Sequence, residues 1–329
     1  MTIFAGTDAA ALRAAADVLA RGGLVGFPTE TVYGLGARAD DDGAVAGIYA
    51  AKGRPADHPL IVHVASRDAV DLFAASVDDG ARRLMDACWP GPLTLILPRR
   101  PGHGEAAAAG QDSIGLRMPA HPVAQALLQA AARRGVAGVA APSANRFGRI
   151  SPTTAAHVAA EFGEALLVLD GGACPVGIES AIVDCTRPRP ALLRPGQLDR
   201  LQLERLLGQS LAAPDAASPR APGTLESHYA PQAPLRLFDT AELRLALDAA
   251  APGTGGLAGA VAVYSRLVPA ASKSWMHRPM PADAAAAAHE LFAVLREFDG
   301  AGVAAIWVEQ PPAGAAWDGV RDRLQRAAA

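Results

Sequence analysis

The sequence contains few of the residues from which metal centres and disulfide frameworks are built. Its 329 residues include only three cysteines, Cys88, Cys174 and Cys185, which stand far apart without CxxC or Cys/His ligand spacing. Three scattered cysteines do not make a disulfide framework, and their spacing does not fit a zinc site. We therefore expect no metal held by protein side chains, and we interpret the cysteines as small buried hydrophobic residues.

Long apolar runs and targeting segments are also missing. No apolar stretch reaches the ~20 residues that a membrane-spanning helix needs, and the N-terminus has no basic segment followed by an apolar run. The formal net charge is −3, without a basic block. This argues against a protein that coats nucleic acid, although a local basic site is compatible with it. We expect a soluble cytoplasmic protein that makes no membrane contact.

The common nucleotide and hydrolase signatures are absent as well. The chain has no GxxxxGK[ST], GxSxG or HExxH motif, so a P-loop, a serine hydrolase elbow and a zinc protease helix are not expected. Gly34-Leu-Gly36-Ala-Arg-Ala39 fits GxGxxA, but polar and aromatic residues separate it from the preceding strand. No acidic residue ends a strand about twenty residues further on, so we do not expect a dinucleotide site there.

The hydrophobic pattern divides the chain into two α/β parts. Half of the residues are hydrophobic, and the length corresponds to roughly two domains of about 150 residues each. Strands and helices alternate, lose periodicity in a proline-rich segment, and then resume. We predict a first domain over 1–207, a linker over 208–233 and a small three-layer α/β domain over 234–329.

The stretch Pro142–Pro152, PSANRFGRISP, concentrates polar and basic residues between a short apolar run and a helical pattern. One interpretation is an anion site, because hydroxyls, backbone N–H groups and positive charge at a helix N-terminus suit an anion. The other is an ordinary polar loop, in which Ser151 begins the helix and Pro152 takes its first position.

Several basic side chains also have two interpretations. Lys52 and Arg54 share a turn that suits phosphate groups, or they form a solvated surface pair. His63 lies within an apolar strand, where a core histidine is the alternative to a ligand contact. Arg117 and Arg194 have apolar neighbours, and arginine is rarely buried without an anionic partner. These two arginines are therefore candidates for ligand binding.

Taken in order, short motifs of the chain resemble the YrdC-like family, and in particular its longer, two-domain threonylcarbamoyl-AMP synthases. The resemblance covers residues 10–200 strongly and extends to SHYAP (227–231) and to the C-terminal part. The motifs are PTETVYGL (28–35), KGRP (52–55), HPLIVH (58–63), WPGPLT (89–94), LRMP (116–119), SAN and GRISPT (within 143–153), SAIVD (180–184) and LRPG (193–196).

This resemblance implies an α/β fold with an open, twisted, mixed sheet, followed by a smaller Rossmann-like C-terminal domain. It implies an enzyme that combines L-threonine, bicarbonate and ATP into threonylcarbamoyl-AMP and pyrophosphate, for the modification of tRNA. A separate transferase would use the product, Mg²⁺ would be carried on the ATP phosphates, and a weak contact with tRNA is compatible with this role. No side-chain nucleophile is needed, so we expect catalysis by positioning and charge stabilisation, without a catalytic residue.

The resemblance also assigns binding residues, motif by motif. Arg117 would pair with the threonine carboxylate, and Asn145 would shape the central loop. The other expected threonine contacts are Thr31, His63, Ala141 and Ser180. The expected ATP contacts are Lys52, Arg54, His58, Ser113, Ser143, Ser151, Arg194, His228 and Tyr229, the last two from a linker that folds back as a lid.

Two alternative functions stay open at this point. A related fold with a concave, basic surface would serve as a non-catalytic module that binds tRNA or double-stranded RNA. Such a module does not need His63 or a buried Arg117, which favours the enzyme. A carbamoyl-handling domain of the kind found in hydrogenase maturation factors is the other alternative. Those proteins carry acylphosphatase and zinc-finger segments that this sequence lacks.

Overall fold

The structure, a computed structural model, describes residues 3–250, 260–269 and 275–329. It divides into two compact units. Unit 1 consists of Met1–Phe147 and Ser151–Thr224, and unit 2 consists of Gly148–Ile150 and Leu225–Ala329. The two parts of the predicted second domain that lie outside the described residues are 251–259 and 270–274.

The described part of unit 1 is built on one mixed sheet. Its strands are β1 (Ile3–Ala5), β2 (Val25–Phe27), β3 (Gly34–Arg38), β4 (Ile61–His63), β5 (Leu93–Pro98), β6 (Ser113–Arg117), β7 (Val139–Ala140), β8 (Leu167–Asp170), β9 (Ala181–Asp184) and β10 (Ala191–Arg194). Their order across the sheet is β1-β8-β2-β3-β7-β4-β6-β5-β9-β10. The sheet contains both parallel pairs, such as β4 with β6, and antiparallel pairs, such as β4 with β7.

Helices cover both faces of this sheet. They are α1 (Ala9–Ala20), α2 (Asp42–Lys52), α3 (Val70–Phe73), α4 (Asp79–Cys88), α5 (Pro122–Ala132), α6 (Ala155–Phe162) and α7 (Arg200–Leu207), with a short 3₁₀ turn at Gly163–Ala165. Helices α1 and α5 pack on Val25, Phe27 and Val139. Residues of α2, α4 and α7 share a second core with Val62, Leu95 and Val183. Aspartates cap α1, α2, α4 and α7, as side-chain acceptors at helix N-termini do.

The segment 209–224 packs on a third apolar cluster. Because side chains alternate along a strand, Ile61, Ile96 and Ile182 point away from the core that holds their neighbours, and Ala221 packs on them. Hydrogen bonds also join this segment to the rest of unit 1: Ala212 N donates to Pro190 O at 2.8 Å, and Asp215 accepts two hydrogen bonds from Arg187. The structure thus places 208–224 of the predicted linker in unit 1, and 225–233 in unit 2.

Unit 2 has a smaller sheet whose four described strands are all parallel, in the order β11-β14-β12-β13. Its core lies between Leu243, Val263 and Trp307 on one face of the sheet. The strands are β11 (Leu235–Phe238), β12 (Val261–Ser265), β13 (Met276–Pro279) and β14 (Ala305–Glu309), and the helices are α8 (Thr240–Ala249), α9 (Ala284–Gly300) and α10 (Asp318–Ala327), with a 3₁₀ turn at Ala315–Trp317.

The structure corrects one interpretation of local structure and shows what the glycine-rich stretch before α2 forms. Ser151 does not begin a helix: α6 begins at Ala155, and Thr154 caps it by accepting from His157 N at 3.3 Å. The GxGxxA stretch forms strand β3 rather than a phosphate loop. Among the described residues, no helix is both long and apolar enough to cross a membrane.

Candidate functional site

Arg117 is the best-defined charged group of unit 1. It ends β6, where it stands in register beside His63 at the end of the parallel strand β4. Its Nη1 donates to Thr31 Oγ1 at 2.9 Å, and its Nε donates to Gly91 O at 3.3 Å. Its Nη2 lies 2.6 Å from Glu30 Oε1 in an ion pair of two buried side chains. In the sequence, the apolar neighbours of Arg117 were a sign of an anionic ligand. Because Glu30 supplies an anionic partner from within the chain, burial alone does not require a ligand.

His63 beside it is held neutral. Burial lowers its pKa to about 3, and the positive charge of Arg117 acts in the same direction, outweighing backbone contacts from Val139 and Ile61. The ring meets Phe27 edge-on, with centroids 6.2 Å apart. Its Nδ1 is buried and makes no hydrogen bond within the described chain. A neutral imidazole with an unused nitrogen is available to a polar ligand.

The loop after β2 presents hydroxyls to this arginine. Thr29 Oγ1 donates to Val32 O at 2.6 Å and accepts from the backbone N–H groups of Thr31 and Val32. Thr29 Oγ1 also lies 2.8 Å from Thr31 Oγ1, in a hydrogen bond that either hydroxyl can donate. Thr31 Oγ1 in turn accepts from Arg117 Nη1. This loop is a tight turn that connects strands β2 and β3.

A second polar group joins β5, β9 and β10. Ser180 Oγ lies 2.8 Å from Thr94 Oγ1, and both side chains are buried. Arg194 donates to Ser180 O at 3.1 Å, to Ser180 Oγ at 3.3 Å and to Pro222 O at 2.8 Å. Gly196 lies so close to the Ser180–Ala181 backbone that a Cβ there would come within 2.4 Å of Ala181 N. The Arg-Pro-Gly motif thus holds Ser180 in place.

The basic turn after α2 forms a third group, and it is not a solvated pair. Lys52 is buried and donates from Nζ to Ser143 O at 2.6 Å and to Asn145 O. Burial holds the pKa of Lys52 well below its ordinary value, and Arg54 acts in the same direction. Arg54 donates to the carbonyls of His58 and Pro59. Its guanidinium lies 5.6 Å from the ring centre of Phe147, which His58 meets edge-on.

The central loop connects these groups by its backbone. Ala141 N donates to Ile61 O at 2.9 Å, and Ser143 forms a bridge with Gly34. Ser151 is buried and donates from Oγ to Glu179 Oε1. Asn145 donates from Nδ2 to Arg146 O at 2.7 Å, in keeping with a residue that shapes the loop. The loop is therefore fixed by strands, by Lys52 and by Glu179.

Ser113 lies at the start of β6, one strand length away from Arg117. It lines a narrow cleft of about 10 Å³ together with Thr94, Gly115, Arg220 and Pro222. Segment 209–224 closes this cleft, because Arg220 exchanges two hydrogen bonds with Gln111 and forms an ion pair with Asp57 at 3.3 Å. A phosphate at Ser113 would have to share this space with the segment.

His228 and Tyr229 belong to unit 2 and are buried there. His228 N donates to Arg326 O at 3.1 Å, and the Tyr229 ring lies against Phe292, with centroids 5.4 Å apart. Arg323, which is also buried, lies 5.5 Å from the centre of the Tyr229 ring. Tyr229 has a φ of 64°, a left-handed conformation that is costly for a residue with a Cβ. The proposed lid remains a prediction.

Comparison with known proteins identifies the relationship. A family profile named Sua5_yciO_yrdC and described as "Telomere recombination" matches residues 17–196. This chain belongs to the Sua5/YciO/YrdC family. A second profile, described as "Threonylcarbamoyl-AMP synthase, C-terminal domain", matches residues 198–329. The family expected from the sequence is thereby confirmed.

Two curated members of the Sua5/YciO/YrdC family illustrate the similarity. The threonylcarbamoyl-AMP synthase of Pyrococcus abyssi is 43% identical over 228 residues, which is 68% of this chain and 66% of the relative. That of Bacillus subtilis is 41% identical over 237 residues, or 70% of this chain and 67% of the relative. The aligned region thus spans about two thirds of each relative. Both relatives carry the name threonylcarbamoyl-AMP synthase.

Solved structures of the Sua5 type extend the similarity to both units. Pyrococcus abyssi Sua5 complexed with L-threonine is 35% identical, with a TM-score of 0.86 that covers 96% of this chain and 94% of that one. A variant of the same protein with an adjacent histidine and tyrosine replaced by alanine gives the same score and covers 92% of that chain. The predicted fold class, a mixed sheet with a smaller α/β domain, is confirmed.

The binding residues expected from the sequence left out three members of these groups. Glu30 pairs with Arg117, Thr94 with Ser180, and Glu179 with Ser151. Each is distant in sequence from its partner, so no local pattern joins them. The signal that was available is that all three lie in the quoted motifs or directly beside them: PTETVYGL, WPGPLT and SAIVD. Within the described residues, no cluster of three or more His, Cys, Asp or Glu side chains is arranged to hold a metal ion.

Proposed function

We propose that this chain is a threonylcarbamoyl-AMP synthase that uses L-threonine, bicarbonate and ATP. The observation that carries the proposal is the cluster formed by buried Arg117, neutral His63 and Thr31, in a fold matched over 96% of the chain by a Sua5 complexed with L-threonine. An arginine with hydroxyl and imidazole neighbours suits the carboxylate and hydroxyl of a polar amino acid.

On the threonine side, we propose that Arg117 binds the carboxylate. Its Nη1 and Nη2 each carry two hydrogens, and one hydrogen of Nη1 is taken by Thr31. His63 Nδ1 and the backbone of Ala141 would orient the rest of the amino acid, with Ser180 closing the set. Ser180 is fixed by Thr94 and Arg194, which supports its role as a pre-positioned hydroxyl.

On the nucleotide side, we propose that the phosphates lie along the basic turn and the central loop. Arg54 supplies positive charge there, Lys52 lies beside it, and the hydroxyls of Ser143 and Ser151 lie on the loop that Lys52 anchors. The remaining proposed ATP contacts are His58, Ser113, Arg194, His228 and Tyr229. Mg²⁺ would enter on the phosphates, because this ion usually keeps water and phosphate oxygens as ligands.

The proposed reaction needs no side-chain nucleophile. The threonine amine, as –NH₂, attacks the carbon of bicarbonate or carbon dioxide, and a carbamate forms with loss of water or of a proton. A carbamate oxygen then attacks the α-phosphorus of ATP, and the bond to the pyrophosphate oxygen breaks. The protein gathers three small reactants and stabilises the charge that develops on phosphate oxygens. The product would pass to a transferase that acts on tRNA.

The adjacent His228 and Tyr229 support a role for the segment that begins unit 2. They are the one adjacent His-Tyr pair in this sequence, and a Sua5 variant lacking such a pair was made in Pyrococcus abyssi. We propose that this pair contributes to the nucleotide site when ATP is bound.

Pyrophosphate release from ATP by the purified chain tests the proposal. Four reactions are compared: the complete mixture, and mixtures lacking L-threonine, bicarbonate or protein. We expect release only in the complete mixture. Release that does not depend on threonine, or no release, would contradict the synthase and direct attention to tRNA binding instead.

A further inference from the structure

Glu30 has no role in the function proposed above, yet it lies against Arg117, the proposed carboxylate-binding residue. It is only 6% exposed, and one carboxylate oxygen, Oε2, accepts from Ala120 N at 3.0 Å. The other oxygen, Oε1, lies 2.6 Å from Arg117 Nη2, but the pair lacks hydrogen-bond alignment. Glu30 Oε1 and Arg117 Nη2 therefore make no hydrogen bond within the described chain, although both are buried.

A buried ion pair of this kind usually adds little to the stability of a fold. Removing two charges from water costs several kcal/mol per ion, and a well-packed apolar pair often serves a fold equally well. Unaligned atoms lose part of the compensation that hydrogen bonds would supply. The arrangement is more readily understood if both atoms complete their hydrogen bonds with a ligand.

The charges of the three neighbouring side chains indicate what kind of ligand would fit. Arg117 contributes one positive charge, Glu30 one negative charge, and His63 none, because burial keeps it neutral. A ligand that carries only a carboxylate would meet Arg117 and be repelled by Glu30. An α-amino acid carries a carboxylate and an ammonium group on the same carbon, so it complements both residues at once.

We propose that Glu30 binds the α-ammonium group of the amino-acid substrate, so that Arg117 and Glu30 together form a receptor for a zwitterion. The inference rests on the proposed function, since it assigns an additional specificity-determining residue to the same site. Oε1 accepts a hydrogen bond from the ammonium group while Oε2 stays on Ala120 N. A 3-hydroxy acid that lacks the amine is rejected because it leaves Oε1 without a donor in a buried site.

The competing explanation is that Glu30 only holds Arg117 in position. The two roles predict different ligand dependence. If Glu30 acts through Arg117, its removal weakens every ligand that has a carboxylate. If Glu30 binds the ammonium group, its removal weakens only the ligands that have an amine.

Calorimetric titration of the full chain with three probes separates these roles. The probes are L-threonine, 3-hydroxybutanoate, which lacks the amine, and L-threoninol, which lacks the carboxylate. Glu30→Gln keeps the size of the side chain, and we expect it to weaken L-threonine and L-threoninol by roughly 10- to 100-fold, the range for a hydrogen bond to a charged group. Binding of 3-hydroxybutanoate should be unchanged or tighter, so the preference for the amine is lost.

Two further variants serve as controls, one that keeps the negative charge and one that removes a different buried carboxylate. Glu30→Asp keeps the charge and should retain a preference for L-threonine over 3-hydroxybutanoate, even if it binds both more weakly. Asp184→Asn removes another fully buried carboxylate of unit 1, which accepts from Thr186 and Arg187. It should lower the melting temperature without changing that preference.

Equal weakening of all carboxylate ligands by Glu30→Gln, or unchanged binding of L-threonine, would overturn the inference while leaving the synthase intact. Failure of the unmodified chain to bind L-threonine would instead contradict the proposed function, and this inference with it.

Discussion

At the scale of single residues, the site depends on charged and polar groups that are buried and partly unsatisfied. The sequence could indicate Arg117 and His63, because each stands within an apolar strand. It could not indicate that Arg117 already has Glu30 as a partner, because the pairing is made by two loops and strands far apart in sequence. Which side chains share a pocket is decided by the strand order, which local patterns do not encode.

The guanidinium fork of Arg117 should be required for threonine but not for ATP. Arg117→Ala, and the milder Arg117→Lys, remove the planar donor pair, so we expect the KM for threonine to rise about 30-fold or more. The KM for ATP should change little. Pyrophosphate release at varied threonine and ATP concentrations measures both, and an unchanged threonine dependence in both variants would refute the assignment of Arg117.

His63 should make the stability of the protein fall as the pH is lowered. Its pKa is about 3 in the folded state and ~6.5 when unfolded, so the unfolded chain binds a proton that the folded chain refuses. The neutral imidazole lowers the stability of the fold only below about pH 6.5, where the unfolded chain begins to bind the proton. The free energy of unfolding then falls progressively towards pH 3, and the loss reaches roughly 2 kcal/mol by pH 5. Urea unfolding between pH 7 and pH 4 measures this, and His63→Gln should show a shallower decline. Parallel curves for the two proteins would contradict the neutral, buried imidazole.

At the scale of elements, the central loop is held by contacts that its own sequence does not show. Its polar composition predicted a loop correctly, whereas the interpretation that began the following helix at Ser151 was wrong by three residues, because Thr154 supplies the cap. Ser151 is instead used by Glu179. Strands β3 and β13 are hard to predict from the sequence, since a glycine-rich segment and a half-exposed strand at the sheet edge lack an apolar alternation.

Lys52 should stabilise the central loop as well as contribute to ATP binding. Lys52→Met leaves the carbonyls of Ser143 and Asn145 buried without this donor, at a cost of about 1–3 kcal/mol. We expect faster hydrogen exchange across 143–147 together with a higher KM for ATP. Arg82→Met, a substitution at an exposed position of α4, serves as the control and should alter neither. Unchanged exchange in Lys52→Met would show that the loop does not depend on this side chain.

At the scale of the whole molecule, composition and periodicity predicted two α/β parts and a connecting segment. They did not show where the connecting segment lies, because its packing depends on single apolar residues such as Ala221 rather than on a periodic pattern. The residues Gly148–Ile150 likewise belong to unit 2, although the sequence around them belongs to unit 1. In unit 2, Ala230 N donates to Gly148 O at 2.8 Å, which no sequence pattern indicates.

Two truncated chains should therefore differ in melting temperature and in turnover. A chain that ends at Thr224 keeps Ala221 on its apolar cluster and Pro222 O on Arg194. A chain that ends at Gly208 loses both, a cost of about 2 kcal/mol that corresponds to roughly 4–8 °C in melting temperature. It should also impair turnover more severely. Equal melting temperatures would show that segment 209–224 does not stabilise unit 1, and full activity of the shorter chain would argue against its contribution to the site.

The most direct test of the account is the product itself. The chain is incubated with ATP, L-threonine and ¹⁴C-labelled bicarbonate, and the nucleotides are separated and analysed by mass. We predict one labelled nucleotide that contains AMP, the labelled carbon and threonine in equal amounts, formed together with pyrophosphate. Nucleotide products without the label, or a labelled product without threonine, would contradict the proposed threonylcarbamoyl-AMP synthase.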